Sequence, residues 1–417
     1  MPNSKYLLSL LLFISTAYAD IERKVTIAGY GGNDVFAMKL LLEKTLKEPL
    51  EEKNINVSYF AIESDYPKYI LNALSSGNAP DAFYVNTDVA KSWISTGQLM
   101  PLPEDLVQLT NHMPQVIVEN FSDGNQQFAI PKDMNALATV YNKDIFSDAD
   151  VEEPSDKDTW FDLKDKLREV VDNLGDEGVT GLCISTEFTR FAPFALSTGW
   201  KPFNYQKRTI LDENFKRAFS FYVSLYKEGI AHLASDFGQS WGGGCFATER
   251  AAITIEGSWL AGYLRDKSPN LLYGSTLLPK DPISNERGNI LLSAGWAINK
   301  NAKDVNATIE VVKLLTNEQA QASVLSSGVA IPSLLSLSNH PFFVDNSPYN
   351  KLAQTIQAGT RAKNVMTFSF ADYGNSWAEP IQVALSSVFL GQLTEQEAMQ
   401  EAQSAYDEMF NKRKDNR

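Results

Sequence analysis

Residues 56–88, NVSYFAIESDYPKYILNALSSGNAPDAFYVNTD, decide the fold. Residues 56–61 read as a strand and 66–76 as a helix. Gly77-Asn78-Ala79-Pro80 supplies the small and helix-breaking residues that stop it. Residues 81–85 form the next strand, and a helix follows over 88–96. Upstream, residues 24–28 make a first strand, and Gly29-Tyr30-Gly31-Gly32-Asn33-Asp34 turns it into a helix over 35–46. Strands that alternate with helices imply an α/β fold, with a mostly parallel sheet covered by helices on both faces.

Beyond residue 136 the alternation loosens. Strands are expected over 136–141, over 251–255 running into a helix at Ser258, and over 291–298 as one piece. Amphipathic helices are expected over 160–174, 213–227, 305–315 and 318–326, the last with Thr316 and Gln319 as a capping box. Thr394-Glu395-Gln396-Glu397 opens a final helix with a second capping box. No internal repeat or low-complexity segment interrupts the pattern. The basic Lys412-Arg413-Lys414 suits a solvated helix C-terminus.

The chain has 417 residues, and 37 Lys+Arg against 51 Asp+Glu give a net charge of −14. Phosphate neutralisation needs a basic face, so nucleic acid is not an expected partner. A hydrophobic share of 44% supports a large packed core, and the length supports two core units. At the start, Lys5 precedes a short apolar run, and Ala17-Tyr18-Ala19 offers small residues at a peptidase site. Residues 1–19 therefore read as a signal peptide cleaved after Ala19, which places the mature protein in the periplasm. Removing Lys5 takes −14 to −15. In that oxidising compartment Cys183 and Cys245 either bridge, closing a loop worth about 4 kcal/mol, or remain two buried thiols.

Catalytic signatures are missing from the sequence. His112, His232 and His340 lie far apart, so zinc-protease spacing is absent and no metal or other cofactor is expected. Neither GxSxG nor GxxxxGK[ST] occurs. A dinucleotide fingerprint begun at Gly29-Tyr30-Gly31 would need its third glycine at Asp34. Carboxylates alone could serve a secreted glycoside hydrolase, but for any single one a solvated surface position is the commoner role. Four tryptophans stand out beside glycine or small polar residues. Trp241 precedes three glycines, Trp259 follows Glu256-Gly257-Ser258, Trp296 follows Gly295, and Trp377 follows Gly374-Asn375-Ser376. Indole faces pack on the C–H patches of sugar rings while Asp, Asn and Glu bind hydroxyls, so the set suggests a carbohydrate cleft. Each could equally be a core residue.

Ordered motifs connect these features. They are Ala79-Pro80-Asp81-Ala82-Phe83-Tyr84-Val85 followed by Gly97-Gln98-Leu99-Met100-Pro101-Leu102, then Ala129-Ile130-Pro131 with Tyr141-Asn142-Lys143-Asp144-Ile145-Phe146. Phe246 to Trp259 and Gly328-Val329-Ala330-Ile331-Pro332-Ser333 complete the set. Across essentially the whole mature chain the set resembles the extracellular solute-binding proteins that serve carbohydrate ABC importers, the group of the maltodextrin-binding proteins. The resemblance implies the two-lobed periplasmic binding protein fold of type II, with discontinuous lobes around a hinge. Residues 20–134 plus 295–337 would form the first lobe and 135–294 plus 338–417 the second.

It also implies ligand-binding positions: Tyr30 and Asn33 after the first strand, Ser64 and Asp65 after the second, Asn86 and Asp88 after the third. Asn135 would stand at the hinge, where maltodextrin binders carry Glu. Trp259 and Trp377 match aromatic platforms, Gly295 and Trp296 the hinge strand, and Trp241 and Glu256 complete the candidates. Two residues depart from the family pattern: Glu249 replaces a turn Gly and Ile253 a Met. The function implied is capture of a sugar or oligosaccharide, without chemistry, for delivery to permease subunits in the inner membrane by a monomeric carrier. A polyamine or a phosphorylated polyol is the alternative solute, with Glu63, Asp65, Asp88 and Glu256 as possible amine ligands.

Overall fold

The computed structural model describes residues 22–415 except 329, 346, 368, 369, 371 and 372. The segment read as a signal peptide lies outside the described residues. Two five-stranded sheets organise the chain. In the first, strand Arg23–Tyr30 lies parallel between Ile55–Ile62 and Ala82–Asn86. Ala294–Ile298 then pairs antiparallel with Ala82–Asn86, Trp296 opposite Tyr84, and Ala129–Pro131 closes that edge. In the second sheet Thr180–Ile184 lies parallel between Ala231–Leu233 and Ala251–Glu256. Ala138–Asn142 runs antiparallel beside Ala251–Glu256, and Tyr273–Thr276 ends the sheet.

Local chemistry explains the regular elements. Helix Tyr66–Ser76 buries Tyr66, Ile70 and Leu74, a stripe of spacing four, and starts with Pro67 in its first turn. Gly77 at φ +73° ends it, and the Asn78 amide reaches the Ala73 carbonyl. Thr394 and Glu397 do form the expected capping box. The other expected box does not form: Asn317 caps Glu318–Ser327 through the Ala320 amide at 2.8 Å, while the Thr316 hydroxyl bonds Val312 O of the preceding helix at 2.7 Å.

The strand expected over 291–298 is two strands in different sheets. Gly288–Leu291 pairs with Asn364–Thr367, and the chain crosses at Leu292 and Ser293 before Ala294–Ile298 enters the first sheet. Backbone bonds between Asn135 and Leu292, at 2.7 and 2.9 Å, tie this crossing to another that runs from Pro131 to Ala138. A third connection lies beside them, where Ile331–Pro332 pairs with Asp133–Met134. The carboxyl ends of parallel strands in both sheets converge on these crossings. The most deeply buried rings of the second sheet's surroundings, Trp160, Trp200, Phe191, Phe215 and Trp377, form an aromatic core away from them.

Candidate ligand-binding cleft

In open α/β sheets, ligand sites form beyond the carboxyl ends of the strands. Tyr30 ends the first strand, and its ring leans on Tyr66 at 4.7 Å and Tyr84 at 5.4 Å. Burial holds its phenol neutral, with a pKa well above the usual value, so the hydroxyl donates to Asn86 Oδ1. Asn86 in turn ends the third strand and leads into helix Thr87–Ser95. Asp88 sits in the first turn of that helix. Its Oδ1 is buried and has no hydrogen-bond partner among the described residues. Burial raises the Asp88 carboxyl from 3.8 to about 6, although backbone N–H groups of Asp88 and Val89 pull the other way. A buried acceptor left open at a cleft is a place for a ligand donor.

The crossing supplies a second charged group. Lys132 contacts Asp133, stands 3.8 Å from Asp34 and lies 4.4 Å above the Tyr84 ring. Burial works against its charge, but the two carboxylates outweigh that and hold the ammonium protonated. Asp133 Oδ1 accepts from the Ala294 amide at 3.0 Å, and Ser293 Oγ donates to the Asp133 carbonyl at 2.6 Å. Asn135 Oδ1 accepts from Ser258 N at 3.1 Å and Oγ at 2.8 Å, so this amide links the crossing to the second sheet.

From the second sheet, Glu256 ends its strand 1% exposed. Arg190 Nη2 donates to Glu256 Oε2 at 2.6 Å, Trp259 Nε1 donates to the same oxygen at 2.9 Å, and Arg190 Nη1 reaches Glu187 at 3.1 Å. Burial raises the Glu256 carboxyl even though Arg190 opposes it. The pair fixes the Trp259 ring at the cleft.

Tyr30, Asn86, Asp88, Asn135 and Trp259 are thereby brought around one cavity of about 250 Å³. Its remaining walls include Thr87, Asp133, Thr189 and the crossing residues Leu292, Ser293 and Ala294. Sequence reasoning passed over these. The Lys132-Asp133 pair directly after Pro131 was the available signal, because charged residues at a sheet-to-sheet crossing need partners.

Other candidates lie elsewhere. Trp377 is fully buried, ringed by Phe188, Phe370 and Phe203, with Nε1 donating to Thr209 Oγ1 at 2.7 Å. It is a core residue of the hydrophobic cluster around the second sheet, with its faces covered by these rings. Trp296 is 1% exposed and packs on Tyr84 at 4.4 Å, inside the first sheet. Gly295, its neighbour in that strand, packs against Ala129 and Ile130 and does not line the cavity. Ser64 and Asp65 are exposed outside the cavity wall, Asp65 at φ +49° before helix Tyr66–Ser76. The backbone of Asn33 begins helix Asn33–Leu40. Glu256 stands behind Trp259, and Trp241 lines a neighbouring cavity. The cysteines are joined, Cys183 to Cys245.

Two α/β lobes with three connections and a polar, aromatic cleft between their strand ends define a two-lobed binding protein. The family model of the bacterial extracellular solute-binding proteins matches residues 45–350, and the chain belongs to that family. A mannitol-binding protein of Pseudomonas aeruginosa is 25% identical over 270 residues, 60% of this chain and 59% of that protein's length. A multiple sugar-binding protein of Streptococcus mutans is 23% identical over 378 residues, 82% of each. Among solved structures, an ABC substrate-binding protein of Listeria monocytogenes in complex with cycloalternan superposes with a TM-score of 0.83. It is 16% identical, and the match covers 94% of this chain and 100% of that one.

Proposed function

We propose that the protein captures a sugar or sugar-like polyol between its lobes and delivers it, without turnover, to permease subunits of an ABC importer. The observation that carries this reading is Asp88 Oδ1, a buried carboxylate oxygen without a hydrogen-bond partner among the described residues, in a cavity that Trp259 also lines and that spans both lobes. A hydroxyl-rich ring offers what that site lacks: donors for the carboxylate and C–H faces for the indole. The sugar- and mannitol-binding names of the two relatives point the same way. None of the described residues lining the cavity is cationic, which disfavours a phosphorylated polyol.

On this reading the lobes comprise residues 20–134 plus 295–337 and 135–294 plus 338–417. The distribution of strands between the two sheets supports that division. Residues 1–19 act as a signal peptide, and the mature monomer works in the periplasm. The binding set is Tyr30, Asn86, Asp88, Asp133, Asn135 and Trp259. Isothermal titration against a panel of hexoses, hexitols and oligosaccharides tests the function. A member binding tighter than about millimolar is the expected result, and a panel without binding, beside an amine or anion that does bind, overturns it.

A further inference from the structure

The charges around the cavity do not balance. Two carboxylates, Asp88 and Asp133, line it, and none of its described lining residues is a lysine, an arginine or a histidine. Lys132, next to Asp133 in the chain, contacts that carboxylate and stands 3.8 Å from Asp34, so one ammonium serves two anions. Arg190 likewise divides its guanidinium. Its Nη2 donates to Glu256 at 2.6 Å and its Nη1 to Glu187 at 3.1 Å, and the same Glu256 oxygen holds the Trp259 indole. Counted with Asp88, five carboxylates share two cations in the cavity wall and among the partners of wall residues. A concave site with an excess of one sign of charge focuses the field and draws the opposite charge from solution.

Asp88 is where the excess lacks compensation. Its Oδ1 is buried and has no hydrogen-bond partner among the described residues. Backbone N–H groups of Asp88 and Val89 support the carboxylate, yet burial outweighs them. The Tyr30 hydroxyl, in the same wall, donates to Asn86 Oδ1 instead. A neutral hydroxyl from a ligand would supply the missing hydrogen bond and leave a buried negative charge in place. An ammonium supplies both the bond and the charge, and a hydrogen bond between ionised groups is roughly twice as strong as a neutral one. One open oxygen calls for one ammonium, not for the several of a polyamine. The uncharged part of the wall, with the side-chain amides of Asn86 and Asn135, the hydroxyls of Thr87 and Thr189 and the Trp259 indole, suits hydroxyl groups and a C–H face.

We infer that the ligand is an amino sugar or amino-polyol with one protonated primary amine, seated with that amine against Asp88 Oδ1 and its hydroxyls against the uncharged part of the wall. This inference rests on the carbohydrate reading of the cavity and narrows it.

Isothermal titration of the mature protein at pH 7 with matched ligands tests it. Each hexose is set beside its hexosamine and its N-acetylhexosamine, and each hexitol beside its amino-hexitol. The best-bound amine binds at least about 10-fold tighter than its neutral parent. The N-acetyl form, which adds bulk without charge, shows no such gain. In Asp88→Asn, its fold verified by thermal melting, amine and parent agree within about 2-fold. Parents that bind as tightly as their amines, an N-acetyl form that gains as much as the amine, or a gain that survives in Asp88→Asn overturns the inference and leaves the carbohydrate reading standing. A panel in which no hexose, hexitol or amine derivative binds, whether or not putrescine or spermidine does, overturns the carbohydrate reading and the inference with it.

Discussion

Asp88 shows how much one residue can carry. Its folded pKa, about 6, stands above the ordinary 3.8, so the fold favours the protonated carboxyl. That contribution to stability is complete below about pH 4 and is lost as pH rises through about 6. Ligand-free Asp88→Asn is therefore expected to melt higher than wild type at pH 8, by up to about 3 kcal/mol, with the gap closing toward pH 4. A ligand that donates hydroxyls to Asp88 favours the ionised form. Affinity should then rise from pH 5 to 7, with proton release visible as a dependence of the titration enthalpy on buffer. Binding with no proton release would contradict contact with Asp88. Trp377 makes the opposite case. Truncation to Ala should cost about 3–5 kcal/mol of stability, read by denaturant unfolding, and leave the affinity of the folded fraction unchanged. The neighbouring Gly, Asn and Ser that suggested a platform at Trp377 describe a turn, and a turn can equally close over a core.

At the scale of elements, helices 66–76, 160–174 and 213–227 occupy the residues expected of them. Each has an apolar stripe and its own terminal signals, such as Gly77, the Thr159–Asp162 capping box or the Asp212 cap. The strand expected at 291–298 is split because an apolar run is silent about which sheet it joins; the antiparallel partners Ala82–Asn86 and Ala129–Pro131 capture its second half. Glu249 tests the departure from a family glycine. It adopts φ +63°, the left-handed conformation that costs a side chain about 1 kcal/mol, so the turn is kept at the expense of strain. Glu249→Gly should leave ligand affinity unchanged and shift stability by less than about 1 kcal/mol. A lost fold or altered binding would show that the Glu249 side chain does more than occupy the turn.

For the whole molecule, the charge of −14 decides little about the ligand. The carboxylates of Asp34, Asp133 and Glu256 are matched by Lys132 and Arg190, whereas Asp88 Oδ1 is buried without a hydrogen-bond partner among the described residues. Three connections between two lobes form a hinge of few residues, the geometry of domain closure around a ligand. X-ray scattering in solution should show a smaller radius of gyration for the sugar-saturated protein, or no change if the ligand-free chain is already closed. Expansion on binding would contradict capture between the lobes.

From the sequence alone came the class of fold, most helix limits, the polar residues at strand ends and the family, because each is written in local periodicity, terminal signals and ordered motifs. Tertiary structure decided which of four similar tryptophans faces the cleft, that Asp133 and Arg190 belong beside it, and that Cys183 and Cys245 meet. Those outcomes depend on contacts between residues far apart in the chain. A tryptophan shortly after a glycine reads the same in sequence whether its ring is sealed by Phe188 and Phe370 or lines a cavity with Asp88.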